Sequence, residues 1–186
     1  KEIANAQAGL PCGITAKVNS LVDPEIIELL YQASQANVPI RLIVRGICCL
    51  VPGLPGVSEN ITVISIVGQL LEHSRIFKFE NAGNPKIYMG SADWMPRNLD
   101  RRVELVFPIE DEDLKERAFG ILETMWNDNI NARMLRSDTT YEHIDRRGKA
   151  PHNSQVEFSI MAQKAVKALQ VPDASQPYKP IRSTAE

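Results

Sequence analysis

Apolar and polar side chains alternate along residues 13–20, Gly-Ile-Thr-Ala-Lys-Val-Asn-Ser, and this two-residue period predicts a strand. Asp23-Pro24 then supplies an N-cap and a proline for the first helical position. Ile26, Ile27, Leu29, Leu30, Ala33 and Ala36 follow at helical spacing, and Asn37-Val38-Pro39 stops the helix. The run Ile40-Arg41-Leu42-Ile43-Val44-Arg45 is nearly continuous and rich in β-branched residues, as a buried parallel strand should be. Strand, helix and strand in this order make a βαβ unit. In such sheets ligands gather beyond the carboxyl ends of the strands, which is where Arg45-Gly46 falls.

Residues 46–60 are rich in Gly and Pro and read as a loop at the same edge. A short apolar segment, Ile61 to Val67, leads into an expected helical turn and then an alternating strand, Arg75 to Phe79. Asn81 to Pro85 makes a hairpin-like turn into a strand from Lys86 to Ser91, and another strand is expected over Arg102 to Phe107. The acidic stretch Glu110 to Asp113 opens a helix running to about Asn127. Those carboxylates suit a helix N-terminus better than a metal site. Residues 141–153 are polar and basic, and a last amphipathic helix is expected over about 155–170. The first residues look like the end of an amphipathic helix, and without an initial Met the chain reads as a piece of a longer protein. Together these elements predict an α/β domain over 1–170, a mixed sheet flanked by helices, followed by a flexible tail at 171–186.

Composition narrows the function. A net charge of -2 gives no overall attraction for nucleic acid or an anionic membrane, so any polyanion must be held by a local cluster. No apolar run reaches the ~18 residues that suggest a transmembrane helix. Three cysteines, Cys12, Cys48 and Cys49, suit a reducing cytoplasm better than a disulfide framework, and the adjacent pair reads as apolar filler at a strand end. No G-x-x-x-x-G-K-[ST] loop, G-x-G-x-x-G turn or G-x-S-x-G elbow occurs, and no ligand spacing makes a convincing metal site.

What remains is concentrated between residues 73 and 104. His73 enters one strand, Lys86 opens the next, and Gly90-Ser91-Ala92-Asp93 closes it. Arg97, Asn98, Arg101, Arg102 and Glu104 follow. An imidazole titrates near neutral pH and can pass a proton or phosphoryl group, while guanidinium forks match phosphate oxygens. Arg45, at the end of a buried strand, should be paired or hold an anion. His143 and His152 sit in the polar basic stretch and read as structural.

His73-Ser74-Arg75 and Gly90-Ser91-Ala92-Asp93 resemble, in degenerate form, the H-x-K and G-S-x-N signature of the phospholipase D superfamily. Arg75 replaces the usual lysine and Asp93 the usual asparagine. Longer strings are more specific: Leu42-Ile43-Val44-Arg45-Gly46-Ile47-Cys48, Leu71-Glu72-His73-Ser74-Arg75 and Ser91-Ala92-Asp93-Trp94-Met95-Pro96-Arg97-Asn98-Leu99-Asp100. These look like the C-terminal catalytic domain of bacterial polyphosphate kinases over about residues 1–170. The resemblance implies a phospholipase-D-like fold and reversible transfer of the terminal phosphoryl of ATP to long-chain inorganic polyphosphate through a phosphohistidine in the preceding domain. It implies ATP or ADP and polyphosphate as partners, the preceding domains of the same chain, a homo-oligomer, and no nucleic acid. Mg²⁺ is the implied cofactor, with its ligands outside this segment. Residue by residue, it implies that Arg45, His73 and Arg102 contact phosphates, that His73 is the second active-site histidine, and that Glu104 orients it. Lys86, Ser91 and Asp93 stand as supporting candidates. Two rival classes stay open: a dimeric phospholipase-D-like phosphodiesterase or nuclease, and a non-catalytic anion-binding module.

Overall fold

In the computed structural model, which describes residues 1–168, a short helix α1 (Glu2–Gln7) leads into β1 (Ile14–Val18). The Asp23 side chain accepts a hydrogen bond from the Ile26 amide, and Pro24 takes the first turn of α2 (Pro24–Gln35). A cap of this kind contributes about 1 kcal/mol. Asn37, at φ 63°, reverses the chain after α2, a left-handed conformation that asparagine tolerates. β2 (Ile40–Val44) then pairs in parallel with β1, and β3 (Ile61–Ile66) pairs in parallel with β2.

The remaining strands extend the sheet antiparallel on both sides. β4 (Ile76–Phe79), β5 (Lys86–Gly90) and β6 (Val106–Ile109) add beyond β1, while β7 (Ala132–Leu135) and β8 (Tyr141–His143) add beyond β3. The order is β6-β5-β4-β1-β2-β3-β7-β8, a mixed sheet with its parallel strands at the centre. Helices α3 (Pro96–Arg101), α4 (Glu112–Trp126) and α5 (Ser154–Ala168) complete the described residues.

Both faces of the central strands are covered. Ala16, Val18, Leu42 and Val44 pack with Leu30 and Ala33 of α2. Ile43, Ile64 and Ile66 pack on the other face with Met125 of α4 and Phe158 of α5, and Ile76 and Ile87 meet Ala118 and Leu122 of α4. Each such fully buried side chain contributes roughly 1.5–3 kcal/mol relative to exposure. Asp128, fully buried, joins the layers: it accepts hydrogen bonds from the amides of Ile130 and Asn131 and from the amide and hydroxyl of Ser154. It thereby fixes the entry to β7 and the start of α5.

Several expectations shift. The strand expected over Arg102 to Phe107 begins only at Val106, because Pro96 starts a helix that takes the chain to Arg101. Residues 102–105 then cross to β5. There Gly90 admits the Leu105 carbonyl, which a Cβ would meet at 2.3 Å. No helical turn follows Val67; that segment is irregular and is tied to α5 through Gln155, which bonds the Leu70 amide and carbonyl. β7 had no distinct signal in the sequence, and β8 falls in the stretch read as polar and basic. Cys48 is half-buried against the α2-side core, where burial pushes its thiol up to about 11, but Cys49 is exposed and fills nothing. The tail expected at 171–186 lies outside the described residues. Among those described, no helix is long and apolar enough to cross a membrane.

Candidate functional site

The strand registers and the connection before β4 bring three side chains into one row. Continuing the β1–β2 pairing one step past Val18 and Val44 sets Asn19 beside Arg45. Ser74, two residues before β4 in the irregular connection, comes in at the same end, its carbonyl accepting the Lys17 ammonium at 3.4 Å. The close approach requires Gly46: its amide donates to the Asn19 carbonyl at 2.8 Å, and a Cβ there would lie 2.9 Å from that same oxygen. In this row Arg45 Nε, both atoms of the Asn19 amide and Ser74 Oγ are buried and find no partner among the described residues. A buried polar group left unpaired costs about 1–3 kcal/mol. Three side chains in that state, beside the carboxyl ends of two parallel strands, form the candidate site.

Asp93 braces the row from behind. Its carboxylate accepts the backbone N–H of Asn19 at 2.6 Å and that of Ser20 at 3.3 Å. Arg75 grips the same carboxylate with Nη2 at 2.8 Å and Nε at 3.3 Å. The two departures from the phospholipase D signature therefore answer each other: the arginine in the lysine position pairs with the aspartate in the asparagine position. Burial alone would raise the Asp93 pKa, but the Arg75 and amide hydrogen bonds outweigh it and hold the carboxyl below its ordinary value. Arg75 is thus engaged within the protein and is not a free phosphate ligand.

His73 is exposed beside this row, in the irregular connection before β4, and its carbonyl accepts Arg75 Nη1 at 3.0 Å. Arg102 is exposed at the end of α3, at the same sheet end. Glu104 does not reach His73. Its carboxylate accepts hydrogen bonds from Ser91 Oγ and Asn98 Nδ2, which hold it below the usual carboxylate range with Arg102 nearby. The orienting role expected of Glu104 is therefore not what its contacts serve. It staples the β5–α3 connection to the crossing strand, with Ser91 also accepting the Leu105 amide.

Lys86 sits at the wrong end. It pairs across from Phe79 at the start of β5, whereas the site lies beyond Ile76 and Gly90. It lines a groove of about 510 Å³ with Glu2, Asn81 and Tyr88, on predominantly apolar walls far from the arginine row. Antiparallel pairing sends the first residue of β5 away from the end where the last one arrives, which sequence proximity cannot show. The strand pattern also passed over Lys17. This side chain is fully buried, and its ammonium donates to the carbonyls of Glu72 at 3.2 Å and Ser74 at 3.4 Å. The available signal was a lysine on the second face of a central strand, since parallel strands are covered on both sides.

Among the described residues no group of three or more His, Cys, Asp or Glu could hold a metal ion. Near the row, the carboxylates of Asp93 and Glu104 already accept hydrogen bonds from protein donors, so this donor set does not fit Mg²⁺.

A parallel centre with antiparallel flanks and helices on both faces make a phospholipase-D-like fold. The chain superposes on Nuc from Salmonella typhimurium, a phospholipase D family member, with a TM-score of 0.53 at 15% identity, covering 73% of this chain and 89% of that one. Residues 1–155 match the family model for polyphosphate kinase C-terminal domain 2, and the chain belongs to that family. It is 54% identical over 167 residues to the polyphosphate kinase of Lactiplantibacillus plantarum, covering 90% of this chain and 23% of the relative. It superposes on the crystal structure of polyphosphate kinase from Porphyromonas gingivalis with a TM-score of 0.86 at 39% identity, covering 90% of this chain and 26% of that one. The chain thus spans less than a third of the length of either polyphosphate kinase.

Proposed function

We propose that this domain is the phosphate-holding half of an ATP:polyphosphate phosphotransferase. The unpartnered row of Arg45, Asn19 and Ser74 at the strand ends, with His73 beside it, carries this reading. Family membership supplies the reaction class, and the row supplies donors of the kind that phosphate oxygens accept. In the complete chain, a histidine of the preceding domain attacks the terminal phosphorus of ATP. The bond from that phosphorus to the bridging oxygen breaks and ADP leaves; a terminal oxygen of polyphosphate then attacks the same phosphorus, the phosphorus–nitrogen bond breaks, and the histidine is regenerated. Charge develops on the phosphoryl and bridging oxygens during each transfer. Fixed donors such as Arg45 Nε stabilise it without reorganising. His73 stands where an imidazole can give a proton to a leaving oxygen or steady the transferring group. Mg²⁺ would be held by groups outside this chain.

Arg45→Ala in the complete enzyme should raise KM for ATP and lower kcat, because a phosphate clamp acts in ground and transition states alike. Arg45→Lys should recover only part of the loss, since an ammonium cannot reproduce the guanidinium fork. Steady-state kinetics on both variants checks this, and unchanged constants for Arg45→Ala would remove the row from the site. The isolated domain should form no phosphohistidine when incubated with labelled ATP, because the proposed nucleophile belongs to the preceding domain.

A further inference from the structure

Three consecutive backbone carbonyls, those of Glu72, His73 and Ser74, are each held by a cation that the strands bury. Lys17 Nζ takes the first and third, at 3.2 and 3.4 Å, and approaches the Val18 carbonyl at 3.5 Å. Arg75 takes the second at 3.0 Å while its other nitrogens hold Asp93. The segment carrying these carbonyls has no helix or strand pairing of its own to fix it. An ammonium has three donors, and three carbonyls lie around this one. Burying it fully costs several kcal/mol unless such partners compensate, whereas a methionine would fill the slot without a charge.

We propose that Lys17 is a positioning residue for His73, its ammonium fixing the backbone on both sides of the histidine so that the imidazole is presented to the phosphate row. This rests on the reading of His73 given above. The geometry is that of a peg: Lys17 lies two residues before Asn19 on β1, so the same strand that contributes the central member of the row also anchors the histidine segment.

The charged groups acting on the ammonium are Glu72 and Arg75 from the connection, Arg45 from the end of β2, and Asp93 from beyond β5. From α5, the neutral Gln155 donates to the Glu72 carboxylate. Burial pushes the Lys17 pKa down to about 8, with Glu72 opposing the shift and Arg45 adding to it. At neutral pH the ammonium is therefore largely present, and it is lost over a range in which the enzyme can still be assayed. The neutral amine keeps two protons for three carbonyls and has no charge to strengthen them. The sign of the linked stability is opposite to that of the lost positioning. The folded pKa lies below the unfolded one, so the unfolded state binds more protons between the two values. This group therefore makes the fold more stable as pH rises from about 8 towards its unfolded value. An alkaline fall in turnover caused by Lys17 should thus appear without a fall in Tm assignable to it.

The test uses the complete polyphosphate kinase, wild type with Lys17→Arg and Lys17→Met, measuring kcat, KM for ATP and Tm from neutral pH to well above 8. Wild-type kcat should fall on the alkaline side with a midpoint near 8 while Tm holds. Lys17→Arg, whose guanidinium stays charged, should keep part of the neutral-pH rate and lack that fall. Lys17→Met should lose about 10- to 100-fold in kcat, with KM changing far less, as expected for a misplaced but still bound reacting group. A wild-type profile that is flat through this range, the same alkaline limb in Lys17→Arg, or wild-type kcat in Lys17→Met would each overturn the proposal. Should Lys17→Met not accumulate folded, the Lys17→Arg profile decides. His73→Ala separates the two levels: if it abolishes turnover while Lys17→Met is unaffected, only the positioning role fails. If His73→Ala is active, the reading of His73 itself fails.

Discussion

Replacing His73 by alanine in the complete enzyme is expected to lower turnover by at least ~10²-fold, the scale of a lost acid–base or charge-stabilising group. The fold should survive, because His73 is exposed and its structural tie is through its own carbonyl, which alanine retains. Affinity for ATP should change less than turnover, since the donors of the row remain in place. Thermal melts alongside kinetics separate the loss of a group from the loss of a fold. A folded His73→Ala protein with near-wild-type turnover would leave the histidine a surface residue of the connection.

Asp93→Ala should have the largest effect on stability, about 3–5 kcal/mol, because removing one partner of a buried pair strands the other. Arg75 would lose both contacts to the carboxylate, and the amides of Asn19 and Ser20 would lose their acceptor. Asp93→Asn should cost less, since it keeps an oxygen for the amides. Denaturant unfolding of the two variants measures the difference. The pH dependence has a fixed sign. Because the folded carboxyl has its pKa lowered, its contribution is full above the unfolded value of about 3.9 and is lost as pH falls through the folded one. Wild type should therefore lose more stability on acidification than Asp93→Asn. Equal acid sensitivity would mean that the Arg75 pair contributes nothing.

The parallel centre was legible because its signals are local: the Asp23-Pro24 cap, the Asn37 reversal and the β-branched run into Arg45 each act within a few residues. The carboxyl end of the parallel strands followed from that topology, and with it the position of Arg45. The edge strands β7 and β8 were not legible, for short edge strands need little apolar alternation. Lys86 was misplaced because thirteen positions separate it from His73 in sequence, while antiparallel pairing separates them by the length of a strand. Glu104 was read as a partner of His73, but Ser91 and Asn98 lie closer to it once Pro96 starts a helix. Lys17 and Asn19 stood in plain view on an alternating strand. Their importance depends on helices α4 and α5, far along the chain, covering the face that alternation alone would leave in water.

The pairing of Arg75 with Asp93 also separates this domain from the signature it resembles. An arginine and an aspartate in those positions satisfy each other. Under the proposed function, phosphate binding falls to Arg45 and to the row beside it. A crystal structure of the complete enzyme with a non-hydrolysable ATP analogue tests this most directly. The account predicts phosphate oxygens within hydrogen-bonding distance of Arg45 Nε and the Asn19 amide, with His73 alongside and the Arg75–Asp93 pair intact. Phosphates bound elsewhere, with Arg45 and Asn19 still unpartnered, would contradict it.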